Sequence, residues 1–533
     1  MSIFQRRRTK DRYALEAVRH GLHGERIYDK APLSRNLKQN MNSFRSIFHQ
    51  APDIVFYEFT LYDGRDACLI YCEGIVDSQH VDSHILEPLT KARMTKLQNA
   101  QRRLSTSQLD KEYIAVAESE EIYNLGQGIE ALMRGLVVLL VDGDSTAIGS
   151  SAVKRKDRAI EEPNTESVIR GPREGFTENI GTSISLIRRR LPTPDLVMES
   201  ITIGLYSKTK VVLFYVDGLV DPEVVREIRQ RLDRIEMDSV IDSGYLEELI
   251  EDSPFSPFPQ VQNTERPDVV AASLLEGKFA ILSDGSPFAL VGPINLWGAL
   301  QAAEDYYERY MIVSALRLLR YLFLNFALFL PALYVAITTF HQEMLPTKLL
   351  LSVAASREAT PLPAVAEALV MEITFEALRE AGVRLPKAVG SAISIVGALV
   401  IGQAAVAAGM ASAPMVIIVS ITGIASFCIP RYNFAISIRL LRFPLIILAG
   451  TIGLFGIVIG LIAIAIHLSS LRSFGKPYLA PIAPFDGQGF LDTFIRAPRW
   501  MMTKRPMQYS KANRRRQGEL MGPLTQIPKQ NRT

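Results

Sequence analysis

AVGSAISIVGALVIGQAAVAAGMASAPMVIIVSITGIASFCIP, residues 388–430, holds no Asp, Glu, Lys, Arg or His and lies between Lys387 and Arg431. It is 43 residues long, and one helical crossing of a bilayer takes about 20. One span cannot use that length, but two can if the chain turns between them. The middle, Gly409-Met-Ala-Ser-Ala-Pro414, is a helix stop followed by small residues and a proline. The stretch predicts a tight helical hairpin in a membrane, with spans of about 388–409 and 414–430, rather than a core helix of a soluble protein.

Outward from the hairpin, the long apolar runs gather in residues 311–471, while the first half is charged and mixed. The 533 residues allow several domains, and the formal net charge of +3 hides two basic ends. Three cysteines are too few for a disulfide scaffold. Cys68 and Cys72 fall on one face of a predicted strand, roughly 13 Å apart at about 3.3 Å per residue, too far to bridge. Free thiols and a reducing compartment are expected for the first half.

Residues 1–50 form a basic arm without the apolar segment of a signal peptide, so the N-terminus is expected in the cytosol. Residues 51–295 read as an α/β region with a duplication. Cys68-Leu-Ile-Tyr-Cys-Glu-Gly-Ile-Val-Asp77 parallels Val212-Leu-Phe-Tyr-Val-Asp-Gly-Leu-Val-Asp221. Gly135-Leu-Val-Val-Leu-Leu-Val-Asp-Gly-Asp144 parallels Gly277-Lys-Phe-Ala-Ile-Leu-Ser-Asp-Gly-Ser286. Asp142-Gly143 and Asp284-Gly285 are hairpin turn signals. Two similar subdomains follow, 51–160 and 195–295, joined by a polar linker over 161–194. Asp77, Asp142, Asp217 and Asp284 stand at strand ends, where turn chemistry is the ordinary reading. No phosphate loop, zinc spacing or nucleophile elbow is visible, and Gly126-Gln-Gly128 lacks the last glycine of a dinucleotide fingerprint. No catalytic residue, metal or cofactor is expected, and the basic tails lack the interleaved aromatics of a nucleic-acid site.

Residues 296–470 predict an all-α membrane domain. Trp297, Tyr306, Tyr307, Tyr310, Arg309, Arg317 and Arg320 suit a cytoplasmic interface. The first span follows at 321–340, and the last runs over 443–468. Between them, residues 364–381 predict an amphipathic interfacial helix. Glu372, Glu376, Arg379 and Glu380 fall on one side of it, and Ala366, Val370, Met371, Thr374, Phe375 and Leu378 on the other. Glu367 falls in the middle of the apolar side. It is either a functional carboxylate or a first-turn residue satisfied by free backbone N–H groups. Gly390, Ser394, Ala398 and Gly402 recur every four residues, a stripe that suits close helix packing or the lining of a narrow pore, and Gly456 and Gly460 repeat the spacing. Gln403 is the one large polar side chain in its span. The basic tail, 471–533, belongs in the cytosol by the positive-inside rule, so the spans should be even in number, and four fit. That count puts Arg431, Arg439 and Arg442 on the outer side. The conflict eases if their segment lies along the membrane or against another subunit.

Several separated segments carry a resemblance. They are Arg170-Gly-Pro-Arg-Glu-Gly-Phe-Thr-Glu-Asn-Ile-Gly-Thr-Ser-Ile-Ser-Leu-Ile-Arg-Arg-Arg190, Ser286-Pro-Phe-Ala-Leu-Val-Gly-Pro293, Phe340-His-Gln-Glu-Met-Leu-Pro346, Arg431-Tyr-Asn433 and Tyr478-Leu-Ala-Pro-Ile-Ala-Pro-Phe485. In this order they resemble the A subunits of GerA-family spore germinant receptors over nearly the whole chain. The resemblance implies a nutrient receptor in the inner spore membrane. Its partners would be a permease-like B subunit, a lipoprotein C subunit, further copies of the chain and membrane lipid. It also implies a ligand-gated monovalent cation channel. In that picture Glu367, with Glu372, Glu376 and Gln403, is the expected ion pathway. Arg170, Arg173, Glu174 and Glu178 suit either a subdomain or subunit interface or a solvated loop. A scaffold that transmits the signal without conducting, and a transporter subunit, remain as alternatives.

Overall fold

The apolar runs marked by the duplication become central strands. The computed structural model describes residues 28–91, 105, 106, 108, 109, 119–152, 162, 163, 165–384, 400, 402–511 and 513–517. In the first repeat β1 (Ile54–Thr60), β2 (Asp66–Cys72), β3 (Ser119–Ile122), β4 (Leu136–Val141) and β5 (Ala147–Ser151) form an antiparallel sheet in the order β1-β2-β4-β5-β3. In the second, β6 (Leu196–Ile203), β7 (Thr209–Val216), β8 (Gln262–Thr264), β9 (Phe279–Ser283) and β10 (Ala289–Gly292) take the matching order β6-β7-β9-β10-β8. β4 is buried along its whole length. Val138 and Leu140 enter one apolar cluster and Val137, Leu139 and Val141 another, so its apolar run does not alternate. Cys68 and Cys72 lie on one face of β2 as free, buried thiols. Burial pushes the Cys68 thiol up to about 12 and raises Cys72 as well, which leaves both unreactive.

The two repeats are framed by the same polar device. Asn36 caps α1 (Leu37–Ile47), and Asn179 caps α3 (Ile180–Arg190). In the first copy, Asp142 accepts from Leu37 N, and Gly143 N donates to the Arg35 carbonyl. In the second, Asp284 accepts from Ile180 N, and Gly285 N donates to the Glu178 carbonyl. Each hairpin turn is thus bonded to the start of the helix that opens its repeat. Asp77 and Asp221 also cap helices, the second being α4 (Pro222–Asp233).

This frame moves the expected boundaries. Leu33, Leu37, Met41, Phe44 and Phe48 pack in the first core with α2 (Leu125–Met133), so the basic arm does not extend to residue 50. The segment expected as a polar linker over 161–194 contains α3, whose Leu186 and Ile187 are core residues of the second subdomain. Both helices are short and rich in polar residues, and only the cap and the turn that meets it mark where each repeat starts.

The chain divides into two compact units: residues to Glu251, Val261–Pro293 and Arg499 onward form one, and Asp252–Gln260 with Ile294–Pro498 the other. In the first unit, Arg188 of α3 makes a forked pair with Asp53, Nε to Oδ2 at 2.8 Å and Nη2 to Oδ1 at 2.9 Å, with both side chains buried. This pair joins the subdomains. Two further helices, α5 (Ser243–Ile250) and α6 (Pro267–Glu276), complete the second. Part of the expected tail returns here as ordered chain. Arg505 Nε donates to the Leu275 carbonyl at 2.6 Å, Arg516 pairs with Glu276 at 2.8 Å, and Lys511 pairs with Asp221 at 3.0 Å.

The second unit is helical: α7 (Tyr310–Phe340), α8 (Thr347–Arg357), α9 (Ala364–Arg384), α10 (Ala413–Phe427), α11 (Tyr432–Ile452) and α12 (Leu454–Ser470). α7 and α11 are long and apolar enough to cross a membrane, and α10 and α12 are shorter apolar helices. Residues 402–407 are helical and 408–411 turn into α10. Residues 385–399 and 401, most of its first arm, lie outside the described residues.

Three expectations change in this unit. The last span is not one helix over 443–468. α11 begins at Tyr432 and ends before Gly453, whose φ of +65° breaks the axis. Arg439 and Arg442 lie buried within α11 instead of in an outer connector. α9 is also rotated about its axis from the expected orientation. Glu372 is buried together with Glu367 and Met371, while Val370, Ile373 and Glu380 are exposed. Hydropathy cannot register a charge that a neighbouring helix neutralises. At the other end of the unit, Arg317 of α7 is buried between Asp305 and Asp492, at 2.9 Å from each.

Asp53→Ala leaves Arg188 buried without its carboxylate and should destabilise the α/β unit by about 3–5 kcal/mol, read as a lower urea midpoint in pulse proteolysis. Burial, then Glu251 and Asp242, pushes Glu247 on α5 up to about 7 from 4.5. A carboxyl raised in the fold contributes stability that is full at low pH and is lost as pH rises through about 7. Glu247→Gln should therefore reduce the loss of urea midpoint between pH 5 and pH 8.

Candidate functional site

Ionised side chains inside an apolar helix bundle persist only when paired. The helical unit carries several, and folding sets them side by side. Glu372, Glu376 and Arg379 follow one another along the inner arc of α9, and Arg439 and Arg442 lie one turn apart on α11. Arg442 Nη1 donates to Glu372 Oε2 at 2.5 Å, with both groups buried. Arg439 Nη1 donates to Glu376 Oε2 at 2.9 Å. Arg379 lies 3.4 Å from Glu376 and donates through Nη2 to Ser426 Oγ of α10 at 2.8 Å. The result is a ladder of charges across three helices.

Arg442 makes a second contact. Pro331 inside α7 has no N–H, so the carbonyl four residues earlier, that of Ala327, loses its helical partner. Arg442 Nε donates to that carbonyl at 2.8 Å. One guanidinium thus satisfies the proline site of α7 and the carboxylate of α9 together.

Glu367, also on the inner arc of α9, is fully buried. Its Oε1 accepts from Ser412 N at 2.6 Å and from Ser412 Oγ at 2.5 Å. Ser412 is the N-cap residue of α10, so Glu367 satisfies the start of the next helix rather than its own first turn. Arg357, at the end of α8, approaches Glu367 at 3.8 Å. The three carboxylates expected as an ion pathway therefore share one helix, and each meets a cation or N–H donor. Gln403 is exposed and stands outside this group.

The packing glycines fall at close approaches. A Cβ on Gly456 would run into the Leu448 carbonyl, one on Gly460 into the Leu445 side chain, and one on Gly402 would stand 3.2 Å from Val416. Gly390, Ser394 and Ala398 lie outside the described residues. In the segment before α3, Arg173 pairs with Glu162 at 3.0 Å and Glu174 with Arg190 at 2.6 Å, while Arg170 and Glu178 are exposed. Sequence reasoning missed Arg442, Arg439, Ser412 and the Ala327 carbonyl as parts of the site. Two signals were present: a proline within an apolar helix, and arginines at i, i+3 answering glutamates at i, i+4.

A second candidate site lies within the α/β unit. A cavity of about 430 Å³ opens between the subdomains, with Asp53, Glu73, Ser78, Thr182, Ser200 and Lys210 among its lining residues. Among the described residues, no group of three or more His, Cys, Asp or Glu side chains is placed to hold a metal ion.

The family model for the Bacillus/Clostridium GerA spore germination protein matches residues 42–508. An uncharacterized membrane protein of Bacillus subtilis (strain 168), YfkQ, is 50% identical over 482 residues, covering 90% of this chain and 93% of that protein. Spore germination protein KA of the same organism is 44% identical over 489 residues, covering 91% and 89%. The crystal structure of the N-terminal domain of the A subunit of the Bacillus megaterium spore germinant receptor GerK3 is 34% identical, covers 49% of this chain and 96% of that one, and superposes with a TM-score of 0.40. The family match spans both units of the fold, and the chain belongs to the GerA family of spore germination proteins.

Proposed function

We propose that this chain is a membrane subunit of a nutrient-responsive germinant receptor and that its oligomer forms a monovalent cation channel. The observation that carries the reading is the family match, which runs through both the α/β unit and the helical unit. Helices long enough to cross a membrane, both with buried charges, support a conducting role over a plain anchor. In the reading, Glu372 and Glu376 are paired with arginines at rest and line the ion path when freed. Glu367 holds the hairpin turn beside them, and Gln403 faces the path or a neighbouring copy. A permease-like B subunit and a lipoprotein C subunit complete the receptor. The ordered return of residues 499–517 to the α/β unit supports placing that unit and the C-terminal segment on one side of the membrane, in the cytosol, with an even number of crossings.

The test is K⁺ flux across vesicles that hold this chain with its receptor partners, challenged with a panel of amino acids, nucleosides and sugars. Nutrient-dependent flux that disappears without this chain is expected. A folded, nutrient-binding receptor that never conducts would make the chain a signal-transmitting scaffold, and saturable solute uptake without ion flux would make it a transporter subunit. Glu367→Gln should cut the nutrient-triggered flux several-fold. Unchanged flux and selectivity would remove Glu367 from the pathway.

The cavity between the subdomains favours a second, compatible reading, in which the α/β unit takes a small polar ligand of the size such cavities hold. Lys210→Ala and Glu73→Gln should then shift the nutrient concentration that gives half-maximal flux. Unchanged dose curves in both variants would discard this reading.

A further inference from the structure

We propose that the Glu372–Arg442 pair is a latch that holds α9 against the α7–α11 frame in the resting receptor, and that opening proceeds by its release. Calling the released state open rests on the channel reading above. The latch itself does not.

Among the described residues, the fully buried apolar side chains of α9 are Ala364, Ala368 and Met371, with Val365, Leu369 and Phe375 partly buried against the same core. Two of the three are alanines, and they offer little apolar area. The neighbouring frame is anchored differently. α11 buries Phe434, Ile438, Leu445 and Ile446, and α7 buries Leu328, Val335 and several alanines. Fastening α9 therefore falls in large part to polar contacts: Glu367 with Ser412, Glu372 with Arg442, Glu376 with Arg439 and Arg379 with Ser426. Such contacts have two discrete states, made or broken, which suits a bistable element.

Among these the Glu372–Arg442 pair has the makings of the switch. It is the ion pair of the ladder in which both members are buried. It is also held at one point, since Glu372 Oε1 and Arg442 Nη2 are buried without a hydrogen-bond partner. A forked pair such as Arg188 with Asp53 has no such unused atoms on the facing edge. Arg442 also keeps an acceptor when Glu372 leaves, because its Nε remains bonded to the Ala327 carbonyl that Pro331 frees. Release therefore detaches α9 without unpinning α11 from α7. It exposes Glu372 and Glu376, the groups the channel reading places on the ion path. Arg442 is a positioning residue in this account: it sets where a carboxylate stands and carries no ion.

The test uses the complete receptor in vesicles without nutrient, and reads amide exchange of α9 beside that of α7 and α11, with K⁺ release measured in parallel. Glu372→Gln, close in shape to the native residue, should speed α9 exchange about tenfold or more, leave α7 and α11 protected, and raise nutrient-free K⁺ release by a similar factor. Arg442→Lys, which keeps the charge but cannot span both acceptors, should give a smaller shift in the same direction and serves if the first variant does not fold. Unchanged α9 exchange in both variants would overturn the latch. Equal loosening of α7, α9 and α11 would also overturn it, since that is loss of the fold. If α9 alone loosens while neither the variants nor the native receptor with nutrient release K⁺, the latch stands and the channel reading fails.

Discussion

The buried guanidinium of Arg442 is the constraint on which the helical unit depends. An arginine within an apolar helix must find a carboxylate and use its remaining donors, or the helix cannot pack there. Arg442 finds Glu372 on α9 and the Ala327 carbonyl on α7, and these two partners fix how three helices meet. The inward turn of α9 follows, because Glu372 cannot face away from its partner. The start of α11 at Tyr432 follows as well, since Arg439 and Arg442 act as helical residues one turn apart. Pro331 is part of the same arrangement. The acceptor it frees is what gives the arginine a second anchor.

The α/β unit uses the same physics in a different setting. Asp53 and Arg188 form a buried, forked pair across the two subdomains, and a third donor of Arg188 reaches the Thr193 carbonyl at 2.8 Å. Here the pair is saturated and serves as a joint. The Glu372–Arg442 pair is bonded at one point and leaves atoms unused. Two buried pairs of the same residue chemistry thus differ in how readily they come apart, and the difference lies in geometry alone.

The α/β unit also shows how a duplication keeps its shape when little of its sequence is shared. What repeats is a set of terminal contacts: an Asn cap, an Asp-Gly turn bonded to the helix it faces, and an Asp cap after the second strand. These residues meet backbone N–H groups at helix starts, which have no partner within their own helix. The core side chains between them are free to vary so long as they remain apolar.

The sequence by itself determined much of this protein. Within the uncharged run over 388–430, the glycine and proline mark the turn found at 408–411. The matched strands and Asp-Gly turns called for two similar α/β subdomains, and the family resemblance was legible in motifs spread along the chain. Those features are local: periodicity, turn chemistry and composition act over a few residues, and a reading of the sequence can follow them. The tertiary structure alone decided the rest. Arg439 and Arg442 looked like an exposed connector, and Glu372 like the outer face of an interfacial helix, because each was judged without its partner about 60–70 positions away. The short opening helices α1 and α3 read as arm and linker in the sequence, because their apolar residues matter only once a sheet covers them. A charge is costly or harmless according to what stands beside it after folding, and sequence order does not carry that information.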